Sequence, residues 1–363
     1  MAGDETGTAD GHAERLLAYL LRPLSALLAD PAVTEILVNG PQAVWQERAG
    51  CLQAVPIVLA PSLVATLARA LATLARQPGF AVHGILETAW QEWRVTAVLP
   101  PVARDHALLC LRRHRAAALP LQAWGVSPGA RAGDRAARAV DDARTALYRR
   151  PPSDLPSLLT AVVASRCNVL ISGGTGTGKT SLLASLMAQI GAGERLLTLE
   201  DTPELPVACA HQVRLLASAG QDLRALLRLA LRLRPDRLVV GEVRGSEAFD
   251  LLQAMATGHA GSMGTLHADH AMGALARLEQ LVLTTGLAWP VSAVRQQIAS
   301  CIEVLVQVQR TGGGRQVTAV HQLTGLSGDG EYRLVPLWPR VGARPGQRPP
   351  PGKHKSAGFL EAG

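Results

Sequence analysis

The chain has 363 residues, 48% of them hydrophobic, and a formal net charge of +7. That length accommodates about two domains, each with a sizeable core. No apolar run approaches the roughly 20 residues that span a bilayer. The five cysteines (Cys51, Cys110, Cys167, Cys209, Cys301) are scattered and form no C-x-x-C pair, so neither a disulfide framework nor a zinc site is indicated. The surplus of positive charge suits an acidic partner such as a nucleotide, an anionic lipid or a nucleic acid, without naming one. The N-terminus is polar and acidic and has no signal-peptide pattern, so a reducing cytoplasm is the expected compartment.

In chain order, residues 1–12 are too polar to bury a core and are expected to be disordered. Residues 13–28 predict a helix with leucines on one side, broken or kinked at Pro23. Asn39-Gly40-Pro41 between Thr34–Val38 and Ala43–Trp45 is a hairpin signal. A second helix is expected over Leu63–Ala75 and strands over Arg94–Leu99 and Ala107–Leu111, giving a small α+β domain over 13–114. Residues 115–154, rich in Ala, Arg, Gly and Pro, predict a linker with one helix at 134–149. From Leu155 the signals alternate: strands at 168–171, 195–199, 237–240 and 262–266, with helices after the first and at 221–232, 246–257 and 270–284. Such alternation predicts an α/β domain over 155–339, a parallel sheet covered on both faces, closing with a helix and strands that include Val304–Val308. The Pro-, Gly- and Lys-rich tail 340–363 is expected to be disordered.

The most informative stretch is Ser172-Gly173-Gly174-Thr175-Gly176-Thr177-Gly178-Lys179-Thr180, which fits G-x-x-x-x-G-K-[ST]. A buried strand precedes it, and Leu182, Leu183, Leu186, Met187 and Ile190 follow at helical spacing. Glycines let the backbone curl round a polyphosphate with its amides inward, and the helix N-terminus adds favourable potential. Gly173, Gly174, Thr175, Gly176, Thr177, Gly178, Lys179, Thr180 and Ser181 are therefore the nucleotide-binding candidates. Lys179 is placed to reach the β- and γ-phosphates, and the Thr180 hydroxyl to ligate Mg²⁺.

Phosphoryl transfer to water also needs a carboxylate in the metal's shell, a group that orients water, and positive charge at the γ-phosphate. The strand Arg237–Val240 runs into Gly241-Glu242, where Glu242 can hold a water of the Mg²⁺ shell although glycine occupies the usual aspartate position. Leu197-Thr198-Leu199-Glu200-Asp201 brings two more carboxylates to the same sheet edge, and Glu200 is the first candidate for general base. A helix cap or turn is the competing role for Asp201. His259 and His267 bracket a glycine-rich turn and a strand; His259 is a candidate nucleotide contact and His267 a candidate catalytic group, against the structural role a histidine more often has.

The order of these segments, followed by Arg234-Pro235-Asp236-Arg237 and Gly241-Glu242-Val243-Arg244-Gly245, resembles the secretion ATPases of type II and type IV systems, with their Walker A, Asp, Walker B and His boxes. The stretches 251–259 and 30–41 look especially like the CpaF/TadA branch, which drives tight-adherence (Flp) pili and is the branch the sequence most resembles. The segment 270–281 and a short loop after the Asp box are similar to the conjugative TrbB branch.

The resemblance implies a PAS-like first domain over a RecA-like ATPase, a homo-hexameric ring, and ATP with Mg²⁺ as cofactors. It also implies work transmitted to an inner-membrane platform protein from the inner face of the membrane. Glu200 then takes water activation and Glu242 the Walker B role. Arginines of the first domain, Arg94 and Arg112 or Arg113, approach the γ-phosphate, with Arg214 joining them. The zinc module of type II motors is absent, and one arginine of the pilus branch is missing near Arg94. A nucleic-acid translocase is disfavoured because only 3% of residues are aromatic, so no specific nucleic acid is expected. A non-hydrolysing scaffold is disfavoured because the catalytic acids are present.

Overall fold

The computed structural model describes residues 14–114 and 131–339 except Ala219, Leu287 and Gly313. The expected disordered ends 1–12 and 340–363, and linker residues 115–130, lie outside the described residues.

The first helix splits at Pro23 as expected, into α1 (14–20), a 3-10 turn Arg22–Leu24, and α2 (Ser25–Ala29). Strands β1 (Val33–Val38), β2 (Val44–Arg48) and β3 (Cys51–Val55), helices α3 (Leu63–Leu74) and α4 (Phe80–His83), and strands β4 (Ile85–Trp90), β5 (Trp93–Val98) and β6 (Leu108–Arg113) follow. They form one antiparallel sheet of order β3-β2-β1-β6-β5-β4. Sequence reading misses its two edge strands. β3 buries little and so carries no clear alternation, and β4 likewise has a single buried residue, Leu86.

Helix α5 (Arg131–Arg149) leads into α6 (Leu155–Ala164), whose first turn is capped by Asp154 accepting from Ser157 N at 2.9 Å. Then come β7 (Val169–Gly173), α7 (Lys179–Met187), β8 (Leu196–Glu200), β9 (Gln212–Leu216), α8 (Leu223–Ala230), β10 (Arg237–Val240), α9 (Glu247–Ala256), β11 (Met263–His267), α10 (Ala271–Leu283), α11 (Val291–Cys301), and β12 (Val304–Thr311), β13 (Gly314–Leu326) and β14 (Tyr332–Trp338). The second sheet has the order β14-β13-β12-β7-β11-β10-β8-β9. It is parallel from β12 to β9, but β13 and β14 add antiparallel at one edge, so the expected all-parallel sheet is mixed. Hairpin-length connections permit only antiparallel pairing there. β9 was not expected: its polar residues, Gln212 and Arg214, alternate with buried Val213 and Leu215 at an edge.

The two sheets share a core. Leu37, Val98, Leu108 and Cys110 of the first pack with Leu197, Leu199, Val213 and Leu215 of the second. The segment after β5 closes the open edge of β9: Leu216 N donates to Val102 O (2.8 Å), and Arg104 N to Arg214 O (3.0 Å). Beside this seam Arg195 is only 1% exposed. It donates from Nε to Leu233 O (2.8 Å) and from one terminal nitrogen to Asn39 Oδ1 (2.8 Å) and His211 Nε2 (2.6 Å). Trp45 stacks on His211 at 4.0 Å. Asn39 and Trp45 come from the first unit, so a buried cation joins the two, and among the described residues no carboxylate is bonded to its guanidinium.

Arg195→Ala strands these acceptors and empties their site. An expected loss of about 3 kcal/mol would be read from urea unfolding. The same cluster carries a pH dependence. Burial, and then the neighbouring Arg195 charge, hold His211 down from 6.5 to about 2. Below 6.5 the unfolded chain takes up a proton that the folded chain refuses. The contribution is complete above that pH and is lost progressively as pH falls. A His211→Gln chain is expected to show a smaller drop in melting temperature between pH 7 and pH 5 than the native chain.

Candidate functional site

The phosphate loop leaves β7 at the carboxyl edge of the parallel strands, where ligands of such sheets bind. Only glycine fits at 173, because a Cβ there would collide with Val308 O and Thr177 Oγ1. Gly176 and Gly178 have φ of 70° and 97°, the left-handed region that other residues enter at a cost. Thr177 Oγ1 donates to Gly174 O (2.9 Å) and closes the turn. Lys179 folds back over it, with Nζ 3.1 Å from Gly173 O and 3.0 Å from Gly174 O. Burial lowers the lysine's pKa. Thr175, Gly176 and Ser181 are exposed around the loop.

Lys179 Nζ is also 3.2 Å from His267 Nε2 at the end of β11, and the same nitrogen is 3.0 Å from Glu242 Oε1. One imidazole nitrogen cannot accept from the lysine and donate to the carboxylate at once, so His267 serves either one or the other. Arg244 holds the second oxygen of Glu242 at 2.5 Å and stands 3.8 Å from Asp201. Its hydrogen bond and charge contact with Glu242 raise its pKa. Burial raises the pKa of Asp201. A small polar cavity is lined by Thr180, Glu200, Asp201, Gly241, Glu242 and Arg244 among others. A hydroxyl beside carboxylates is a hard-oxygen donor set that fits Mg²⁺.

Glu200 is 3% exposed. Its Oε1 accepts from Glu204 N (2.8 Å) and Leu205 N (2.7 Å), so it shapes the turn after β8 while still lining the cavity. The glycine in the usual aspartate position has its reason here. A Cβ on Gly241 would lie 3.2 Å from Glu200 Cγ, so the glycine makes room for the glutamate stem.

The fold brings Lys179, Thr180, Glu200, Glu242 and His267 together. It does not bring Arg94, Arg113 or His259 to the loop, and Arg214 stands only near enough to Glu200 for their charges to interact. Arg113 lies over the Trp93 ring at 4.5 Å and donates to Leu28 O at 2.5 Å, inside the first unit. Arg214 pairs bidentately with Asp105, with Nε at 2.7 Å. His259 Nδ1 is 3.1 Å from Pro235 O. It lines a cleft with Arg94, Arg112, Glu35 and Arg234 where β10 and β11 begin, at the opposite sheet edge from the loop. At about 3.3 Å per residue the length of those strands separates the two places by roughly 15 Å. In the cleft Arg112 and Arg94 are cross-strand neighbours, and Glu35 follows Arg112 in register. Arg244 has no role that the sequence motif assigns. Its position two residues after Glu242 was the one available signal.

A phosphate loop at the edge of a RecA-like sheet, with a strand-end glutamate and a histidine converging on its lysine, defines a P-loop nucleoside triphosphatase. The type II/IV secretion system protein family matches residues 20–321, and the chain belongs to that family. It is 35% identical over 336 residues to a putative conjugal transfer protein of Mycobacterium tuberculosis, covering 87% of each chain. It is 31% identical over 309 residues to the conjugal transfer protein TrbB of Rhizobium radiobacter, covering 83% of this chain and 87% of that one. The crystal structure of the VirB11 ATPase from the Brucella suis type IV secretion system, in complex with sulphate, superposes with a TM-score of 0.74 at 27% identity over 87% of this chain and 96% of that chain. The chain is an ATP hydrolase of this family. Among the described residues no helix is long and apolar enough to cross a membrane.

Proposed function

We propose that the chain is the ATP-driven motor of a type IV secretion or conjugation machine. It works as a homo-hexameric ring and passes its motion to an inner-membrane platform protein at the cytoplasmic face. The observation that carries this is the junction of Lys179, His267 and Glu242 at the phosphate loop in a chain similar to VirB11 and TrbB. When bound, Mg²⁺ neutralises the polyphosphate and polarises the γ-phosphoryl group. Thr180 and Glu242 would hold it, Glu242 partly through water. Lys179 binds the β- and γ-phosphates, Glu200 or Glu242 orients the attacking water, and His267 passes between Lys179 and Glu242 as the site fills. The domain reading, a PAS-like unit over 13–114 and an ATPase over 155–339, is part of the same proposal.

A second reading, a motor for Flp (CpaF/TadA-type) pili, draws on Leu251–His259 and on Asp30–Pro41. Loss of plasmid transfer on deletion of the gene would support conjugation, and loss of surface fibres would support the pilus.

Arg94 is exposed and has no ion pair among the described residues. In its own chain it sits at the wrong sheet edge, so it reaches a γ-phosphate only in a neighbouring copy. Arg94→Ala and Lys179→Ala chains are each expected to be nearly inactive alone. When mixed, they are expected to regain part of the native ATP turnover, because a loop from one meets an arginine from the other. Mixed rings as inactive as their parents would remove the shared site.

A further inference from the structure

We propose that Arg315, with Arg310 beside it, binds the nucleotide's phosphate chain from the β12–β13 hairpin, a contact supplied within the same chain. The inference rests on the reading of the phosphate loop as a triphosphate site. β12 runs parallel to β7 in the register Val304↔Val169 to Gln307↔Ser172, and then continues past the end of β7. The hairpin therefore overhangs the loop, and it does so tightly, since the Val308 carbonyl abuts Gly173. On the returning strand the Arg315 stem lies against Gly178. A Cβ on that glycine would meet Arg315 Cδ at 3.0 Å, Cβ at 3.6 Å and Cγ at 3.7 Å. The guanidinium begins one bond beyond Cδ, beside the N-cap of α7, where the first free amides of the helix favour an anion.

Two further observations favour an anionic ligand here. Arg310 and Arg315 face each other directly in the antiparallel ladder, an arrangement that like charges disfavour. Both are exposed, and among the described residues neither side chain has an ion pair or hydrogen bond. Two paired cations with no counter-charge among the described residues, one with its stem on the N-cap of α7, are complementary to a nucleoside polyphosphate. The forked N–H groups of arginine match phosphate oxygens two at a time.

The test is titration of a fluorescent ADP analogue, with adenosine as competitor, into the native chain and the Arg315→Ala, Arg315→Lys, Arg310→Ala and Lys179→Ala variants at two salt concentrations. Arg315→Ala is expected to weaken ADP binding about 10-fold or more, in line with loss of a charge-assisted hydrogen bond. It should also flatten the salt dependence and leave adenosine competition unchanged. Arg315→Lys should recover part of the loss, and Arg310→Ala should show a smaller one. Native affinity in Arg315→Ala beside lost binding in Lys179→Ala would overturn this inference and leave the loop's assignment standing. Native affinity in Lys179→Ala would overturn both. An equal loss for adenosine would transfer Arg315 from the phosphates to the base and end the proposal.

Discussion

Lys179→Ala is expected to bring ATP turnover to background, a fall of at least about 10³-fold, equivalent to about 4 kcal/mol of transition-state stabilisation. The lysine is 7% exposed and its ammonium is held by two loop carbonyls, so its charge is already in place before a phosphate arrives. Little is spent on ordering it during the reaction, and a water-filled gap supplies no equivalent charge. The folded chain should survive with a modest loss of stability, because the freed Gly174 carbonyl is only half-buried, beside exposed Thr175 and Gly176. Phosphate release, measured with a thermal melt on the same sample, checks both halves. Turnover near the native rate in a folded Lys179→Ala chain would refute the site.

The second large effect separates two glutamates. Glu200→Gln keeps a carbonyl oxygen that can accept from Glu204 N and Leu205 N, so the turn and the melting temperature should be retained. If Glu200 takes the proton from water, turnover should fall about 10²- to 10⁴-fold while ATP still binds. Glu200→Ala, by contrast, leaves two amides unpaired and should also destabilise the fold, by about 2 kcal/mol. Native turnover in Glu200→Gln would reduce this residue to a turn-former and transfer the base to Glu242, which already contacts His267 and Arg244. Glu242→Gln then becomes the stalled variant, assayed by the same phosphate release.

Much of this was legible along the chain. The glycine loop, its flanking strand and helix, and the acids at the ends of β8 and β10 are all local patterns. Backbone conformation and hydrogen bonding over a few residues dictate them, and glycine, lysine and buried β-branched runs report that directly. The edge strands β3, β4 and β9 were missed for the matching reason. Half-exposed strands gain little from alternation and take their pairing from distant partners.

The sequence by itself determined what the centre is built from: a glycine-rich phosphate loop, a lysine, a hydroxyl and carboxylates at one sheet edge. Only the tertiary structure decided where the cations lie relative to it. Arg113 is held on Trp93, Arg214 on Asp105, Arg94 lies at the far edge, and Arg315, more than a hundred residues after the loop, rests on Gly178. An arginine's long stem and exposed head leave no periodic trace in a sequence. Its partner is chosen by whichever surfaces the sheet order brings together, as Asn39 and Arg195 also illustrate.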